Sequence, residues 1–209
     1  MKTVSLVLLS LVWLFFSCKG KGMAQSEVLP ILGETSRHPV TGELVYYKAP
    51  EFSLRSQTGE AFSEQQLHGK IHVVDFFFTT CPTICPKMTS HLREVQQHFE
   101  GNDKVGILSY SIDALTDTPE VLENYAMANG IKNEQWKLLT ADQTDVFEIS
   151  KGYKVMAFDD SRGEERTLIH DGTFVLLDAE RRIRGYYNGL DPQDTRRLIA
   201  DMEKLLKGL

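Results

Sequence analysis

The stretch IHVVDFFFTTCPTICPKM, residues 71–88, decides how this chain folds. Ile71 to Phe78 is an apolar run of strand length, β-branched and aromatic in character, carrying one acid, Asp75. Such a run predicts a strand buried on both faces. From Cys85 to Phe99, apolar Met88, Leu92, Val95 and Phe99 recur at spacings of three and four, which predicts a helix. Cys81 and Cys85 therefore lie where a buried strand hands over to a helix.

Working outward, Val105 to Ile112 reads as a second buried strand. Thr118 and Pro119 supply an N-cap and a first-turn proline for a helix that Gly130 ends. Trp136 to Leu139 is a short strand, and Asp142 can cap a helix running to Gly152. Thr173 to Leu177 and Arg182 to Tyr187 flank the charged turn Asp178-Ala179-Glu180-Arg181, a hairpin pattern. Asp191-Pro192 opens a last helix that ends near Lys207-Gly208. Upstream, Phe52-Ser53-Leu54 with Thr58-Gly59 predicts a strand and turn, and Ala61 to Leu67 a short helix. Leu44 to Lys48 is extended, with Tyr46 and Tyr47 packing at a sheet edge. Strand–helix–strand–helix, then a hairpin and a closing helix, is the thioredoxin-like order. It predicts an α/β fold with a mixed sheet and helices on both faces, behind an N-terminal extension.

The 209 residues hold 23 Lys+Arg against 29 Asp+Glu, a net charge of −6. An acidic balance without a long basic run argues against a nucleic-acid partner, because such binding neutralises phosphates. A hydrophobic share of 42% is too high for a disordered chain, and no fixed-period repeat points to a solenoid. One domain with appendages, acting as a monomer, is the expectation.

The N-terminus reads as an address. Met1-Lys2 precedes an apolar run from Val4 to Phe16, broken by Ser5 and Ser10, before Ser17, Cys18 and polar Lys19-Gly20-Lys21-Gly22. The run is shorter than the roughly 18–20 residues that cross a bilayer as a helix. It has the layout of a secretory signal. A cysteine directly after a small residue resembles a bacterial lipoprotein signal, with residues 1–17 removed and Cys18 lipidated. Phe15 stands where such signals usually carry Leu. The alternative is an uncleaved anchor with an incidental Cys18. Either way the body sits in the cell envelope on the periplasmic side, where disulfides persist. Residues 18–50 then form a tether and lead-in, and 51–209 the thioredoxin-like domain.

A strand-to-helix junction is where free backbone N–H groups and the helix dipole stabilise a thiolate. Cys81 and Cys85 are four apart, so on a helical turn both sulfurs face one side. Three intervening residues leave room for an ion without forbidding a disulfide. An inert structural disulfide and two buried thiols acting as small hydrophobes are the bland alternatives. Among the histidines, His68, His72, His91 and His98 are expected at the surface. His170 follows Leu168-Ile169 and a charged loop over residues 159–166, and enters the hairpin that faces the cysteine-bearing helix in a thioredoxin-like topology.

Three segments carry a family resemblance: residues 75–88, Ser111-Ile112-Asp113 with Asp117-Thr118-Pro119-Glu120, and His170-Asp171-Gly172-Thr173-Phe174. Together, from about Phe52 to the C-terminus, they resemble the Sco/SenC copper chaperones. Ala114 replaces the Pro usual after the Asp, and Asp171 the Ser that often follows the His. The resemblance implies copper, Cu(I) or Cu(II), bound by Cys81, Cys85 and His170. It further implies delivery to the dinuclear copper centre in the copper-bearing subunit of cytochrome c oxidase, while the lipoprotein-like signal implies a protein held to the membrane by its lipid. The donor set agrees, since thiolates favour Cu(I) and an added imidazole suits either state, whereas zinc typically takes a fourth ligand or an open water position. The same thiols can cycle to a Cys81–Cys85 disulfide, so metal loading and oxidation exclude one another.

Asp75 resembles the buried Asp of thioredoxins and has two readings. One is a proton acceptor for Cys85; the other is an edge-strand carboxylate facing solvent. Asp113 is expected to cap Thr116, and Met88 to be core. The rival function is a thiol–disulfide oxidoreductase keeping the oxidase copper-site cysteines reduced, which would not need His170. A peroxiredoxin-type peroxidase lacks an identifiable Pro and Arg around one cysteine.

Overall fold

The computed structural model describes residues 28–141, 146–161 and 167–209. The signal-like residues 1–17, Cys18 and the capping Asp142 lie outside the described residues. Strands β1 (Thr35–Arg37) and β2 (Leu44–Tyr46) form a small antiparallel ribbon. Then come β3 (Ser53–Ser56), β4 (Ala61–Ser63), β5 (Ile71–Phe77), α1 (Cys85–His98), β6 (Val105–Ser111), α2 (Pro119–Asn129), β7 (Trp136–Thr140) and α3 (Val146–Gly152). β8 (Ala157–Asp159), β9 (Leu168–His170), β10 (Thr173–Leu177), β11 (Ile183–Asn188) and α4 (Pro192–Leu206) complete the chain.

Seven strands make one sheet in the order β11-β10-β5-β6-β7-β3-β4. β5, β6 and β7 run parallel, and the outer pairings are antiparallel. The mixed sheet with helices on both faces is the expected thioredoxin-like one. Alternation along β5 divides the core. Ile71, Val73 and Phe77 pack beneath α1, α2 and α4 through Met88, Leu92, Val95, Leu122, Leu198 and Met202. Val74 and Phe76 face the other layer, with Leu54, Leu108, Tyr110, Ile149 and Tyr153. Asp75 shares its face with Val73 and Phe77, under α1, because side chains two apart project the same way.

The helix signals read from sequence are used as written. Thr118 accepts from the Val121 N–H ahead of Pro119, Asp191 accepts from the Gln193 N–H ahead of Pro192, and Gly130 ends α2 in the left-handed conformation. Ala61 to Leu67 differs from expectation. Ala61–Ser63 pairs with β3, and only Glu64–Leu67 turns, as a 3-10 helix capped by Ser63 and Gln66. The hairpin strand next to β4 wins residues that local propensity alone would give to a helix. Of the charged loop expected before His170, residues 162–166 lie outside the described residues; on either side of it β8 and β9 pair, with Ala157 opposite His170.

At the pole of the sheet where β5 begins, the chain's leading described residues are fastened. The Leu32 N–H bonds the Ile183 carbonyl at 2.8 Å, and the Arg184 guanidinium donates to the Pro30 and Leu29 carbonyls while pairing with buried Asp178. Among the described residues no helix is long and apolar enough to cross a membrane.

Candidate metal centre

β5 delivers the chain to its far pole, where residues 78–80 lead to Cys81 and α1 opens at Cys85. The N-cap of α1 is Ile84, whose side chain makes no capping hydrogen bond, and the first turn holds Pro86. The Cys81 sulfur sits by this turn, where the Cys85 and Thr83 backbone N–H groups favour its thiolate form. Its hydroxyl neighbour is Thr83 Oγ1 at 3.7 Å. Burial pushes the Cys81 thiol up, but those N–H groups together with the Cys85 and Thr83 side chains outweigh it and hold the thiol below its ordinary value.

Cys85 is the opposite case. It is 1% exposed against 8% for Cys81, and burial pushes its thiol far up. The Phe78 backbone opposes this, while Cys81 and the charge of Asp75 add to it. The pair therefore combines an outer sulfur that ionises readily with an inner one that keeps its proton. Both stand as free thiols.

His170 Nε2 lies 3.1 Å from Cys85 Sγ. The sulfurs of Cys81 and Cys85 and a ring nitrogen of His170 all fall within 4.8 Å of one another, so the three side chains can hold one ion. The tautomer follows from chemistry. His170 Nδ1 is 2.9 Å from the Asp171 carbonyl, which only accepts, so Nδ1 carries the proton and Nε2 presents a lone pair to the sulfurs. Burial lowers the imidazole pKa and keeps it neutral, with the Asp171 contacts opposing this. Metal-binding histidines use this second-nitrogen bond to fix their ring. Phe78 meets the ring edge-on at 5.8 Å.

The backbone around His170 is tied down. The Asp171 carboxylate accepts from the Met156 and Thr173 N–H groups at 2.9 and 3.0 Å, which gives the departure from Ser at this position a structural use. The Gly172 carbonyl accepts from the Gly189 N–H at 2.6 Å, and the Gly189 carbonyl from His91 Nδ1 at 2.7 Å. Helix α1 thus holds Cys85 directly and braces the His170 segment through His91.

Asp75 is 3% exposed on an interior strand between β10 and β6, so the edge-strand alternative does not hold. Ser109 Oγ donates to its carboxylate, and Trp136 Nε1 donates to the same Ser109 oxygen at 2.8 Å. An indole N–H only donates, so the Ser109 proton is directed at Asp75. Burial raises the Asp75 pKa to about 7, against the lowering effect of Ser109.

Other expectations divide. Asp113 Oδ1 accepts from the Thr116 N–H at 3.2 Å, as a cap, and Met88 is core. His68 is exposed and His98 meets Glu203 at the surface. His72 and His91 are corrections, being 3% and 7% exposed. His72 lies within the buried span of β5, and His91 is three residues after Met88 on the core side of α1. Tyr125 is a site neighbour that sequence reasoning missed. It packs on Phe77 at 5.6 Å and bonds Thr89 at 2.9 Å. Its hydroxyl is pushed up to about 12 by burial, opposed by Thr89 and reinforced by Cys85, Asp75 and Cys81. Its spacing of three from core Leu122 was the available signal.

Two unequal thiols on a strand-to-helix turn, with a neutral imidazole against the inner one, define a thioredoxin-like protein built for soft-metal or dithiol chemistry. The SCO1/SenC family model matches residues 43–207. The chain belongs to the SCO1/SenC family. It is similar to a SCO1/SenC family lipoprotein of Bacillus anthracis, with 29% identity, TM-score 0.69, and 77% of this chain and 95% of the other covered. It is similar to Bradyrhizobium japonicum ScoI, solved with copper bound, at 25% identity and TM-score 0.64, covering 76% and 99%. BsSco, described as a Sco-family cytochrome c oxidase assembly protein with a disulfide switch, matches at 28% identity and TM-score 0.65, covering 76% and 93%.

Proposed function

We propose that this chain is an envelope-tethered metallochaperone that binds copper through Cys81, Cys85 and His170 and delivers it to the dinuclear copper centre of cytochrome c oxidase. The observation that carries this is the convergence of the three donor atoms within 4.8 Å. Two thiolates and an imidazole suit Cu(I) and tolerate Cu(II). Three donors form an incomplete cage, which leaves a side open for an acceptor's ligand. The copper-bound ScoI and the assembly role described for BsSco support the reading. Lipidation at Cys18, with the body outside the cytoplasm, rests on the signal-like N-terminus and on the Bacillus anthracis relative being a lipoprotein.

The test is a spectroscopic Cu(I) titration of the reduced protein. One copper per chain is expected, lost in Cys81→Ser and Cys85→Ser. Equal binding by the wild type and both variants would overturn the assignment.

The unequal thiols favour a second reading, reduction of an acceptor's disulfide. The Cys81 thiolate would attack one substrate sulfur and release the other as a thiolate. Cys85, passing its proton to Asp75, would then attack Cys81 and free the second substrate thiolate. The chain's dithiol supplies both electrons and ends as the Cys81–Cys85 disulfide. Disulfide turnover that survives His170→Ala, without copper binding in the wild type, would select this reading.

A further inference from the structure

Cys85 is fixed by a helix, but Cys81 lies in an irregular segment, and something must hold it near its partner. Its own backbone offers one short-range bond, from the Cys81 N–H to the Phe78 carbonyl at 3.2 Å. The stronger hold is two residues upstream. Both donors of Thr79 go to one carboxylate: the backbone N–H to Asp117 Oδ2 at 3.0 Å and the hydroxyl to Asp117 Oδ1 at 2.5 Å.

Asp117 is itself immobilised. It is fully buried, and Ser111 Oγ donates to its Oδ2 at 2.5 Å. Its N–H bonds the Asp113 carbonyl at 2.8 Å, and the next residue, Thr118, caps α2. No Lys, Arg or His among the described residues pairs with it. A buried carboxylate without a cation is costly unless hydrogen bonds satisfy it, and here three do so. Two of those three end on Thr79. The carboxylate thus joins a rigid framework, the end of β6 and the start of α2, to the segment carrying the more reactive cysteine.

From this link we propose that Asp117 is the positioning residue for Cys81, acting through Thr79 to keep the outer sulfur within reach of Cys85 and His170. It touches neither sulfur nor cargo. The inference deepens the metal-site reading and rests on it for the copper readout, but the dithiol gives an independent one.

The experiment measures two quantities in the full chain for Asp117→Asn, Thr79→Val and the double variant. One is Cu(I) affinity by competition with a chromogenic chelator. The other is the equilibrium constant for the Cys81–Cys85 disulfide against dithiothreitol, which reports how readily the sulfurs meet. Asp117→Asn replaces an acceptor with an amide that opposes the Thr79 N–H. Loss of a charge-assisted bond predicts about a tenfold fall in both quantities. Thr79→Val removes one bond at nearly constant shape and predicts a smaller fall in both. The double variant should fall little below Asp117→Asn, because both changes break one link. Unchanged values in both assays, with only a lower melting temperature, would overturn the proposal, as would additive effects. If Asp117→Asn does not fold, Thr79→Val alone decides by the same two readouts. If the wild type binds no Cu(I), the metal reading fails, and the disulfide constant still tests the positioning role.

Discussion

Cys85 Sγ and His170 Nε2 stand 3.1 Å apart although 85 residues separate them along the chain. One comes from the first turn of α1 and the other from the end of β9, and β5 with β10 holds the two segments at one pole of the sheet. The donor that turns a dithiol into a three-donor site is therefore supplied by topology.

Replacing this imidazole separates metal chemistry from thiol chemistry. His170→Ala is expected to weaken Cu(I) binding by more than the roughly 10- to 100-fold that losing a ligand's hydrogen-bond partner costs. The Cys81–Cys85 disulfide should still form on oxidation. Chelator competition and thiol counting check the two halves, and unchanged copper affinity would remove His170 from the site.

Buried Asp75 makes stability fall with rising pH. Its pKa is about 7 in the folded protein against an ordinary 3.8, so between these values the native state holds a proton that the unfolded state releases. Its contribution is fully present below about pH 4 and lost as pH rises through about 7, an interval of about 3 pH units, or roughly 4 kcal/mol. Asp75→Asn should flatten this part of the profile and be the more stable protein at pH 8. Urea unfolding at pH 5 and pH 8 measures the difference, and parallel profiles would refute it.

Ser109→Ala tests the donor that restrains Asp75. Without that bond the carboxyl should titrate above about 7, and Trp136 loses its acceptor. Carbon-detected NMR of the Asp75 carboxyl across pH follows the change, and an unmoved midpoint would show that Ser109 contributes nothing.

Gly189 brings the brace from α1 to the His170 segment. A Cβ there would stand 2.7 Å from the Gly172 carbonyl oxygen and 2.7 Å from Phe174 Cζ. Gly189→Ala is expected to cost about 1–3 kcal/mol of stability by overpacking. It should also weaken copper binding while leaving the Cys81 sulfur as reactive towards alkylating agents. Equal melting temperature and copper affinity would refute the brace.

The sheet and the cysteine turn were legible because period and punctuation carry them. A continuous apolar run, a helix with three- and four-residue spacing, and Thr118-Pro119 each mean one thing locally. The burial of His72 and His91 was not. His91 is polar by type, and only its place between Met88 and Val95 puts it inside, where its N–H needs a carbonyl nearly a hundred residues away. The depth of Asp75 depended on strands that pair from both sides, which one strand's composition does not reveal. The hold of Asp117 on Thr79 likewise joins two segments 38 residues apart, though the acid itself stood in a recognised motif. The strand at Ala61–Ser63 was misread because its partner, not its own residues, chose its conformation.

The fastening of Leu29, Pro30 and Leu32 beside Arg184 and Ile183 has a consequence for orientation. Whatever lies upstream reaches the domain at the rear, across the length of β5 from the sulfurs. A leash attached there and fixed to a surface would turn the cysteine mouth outward, towards a visiting acceptor.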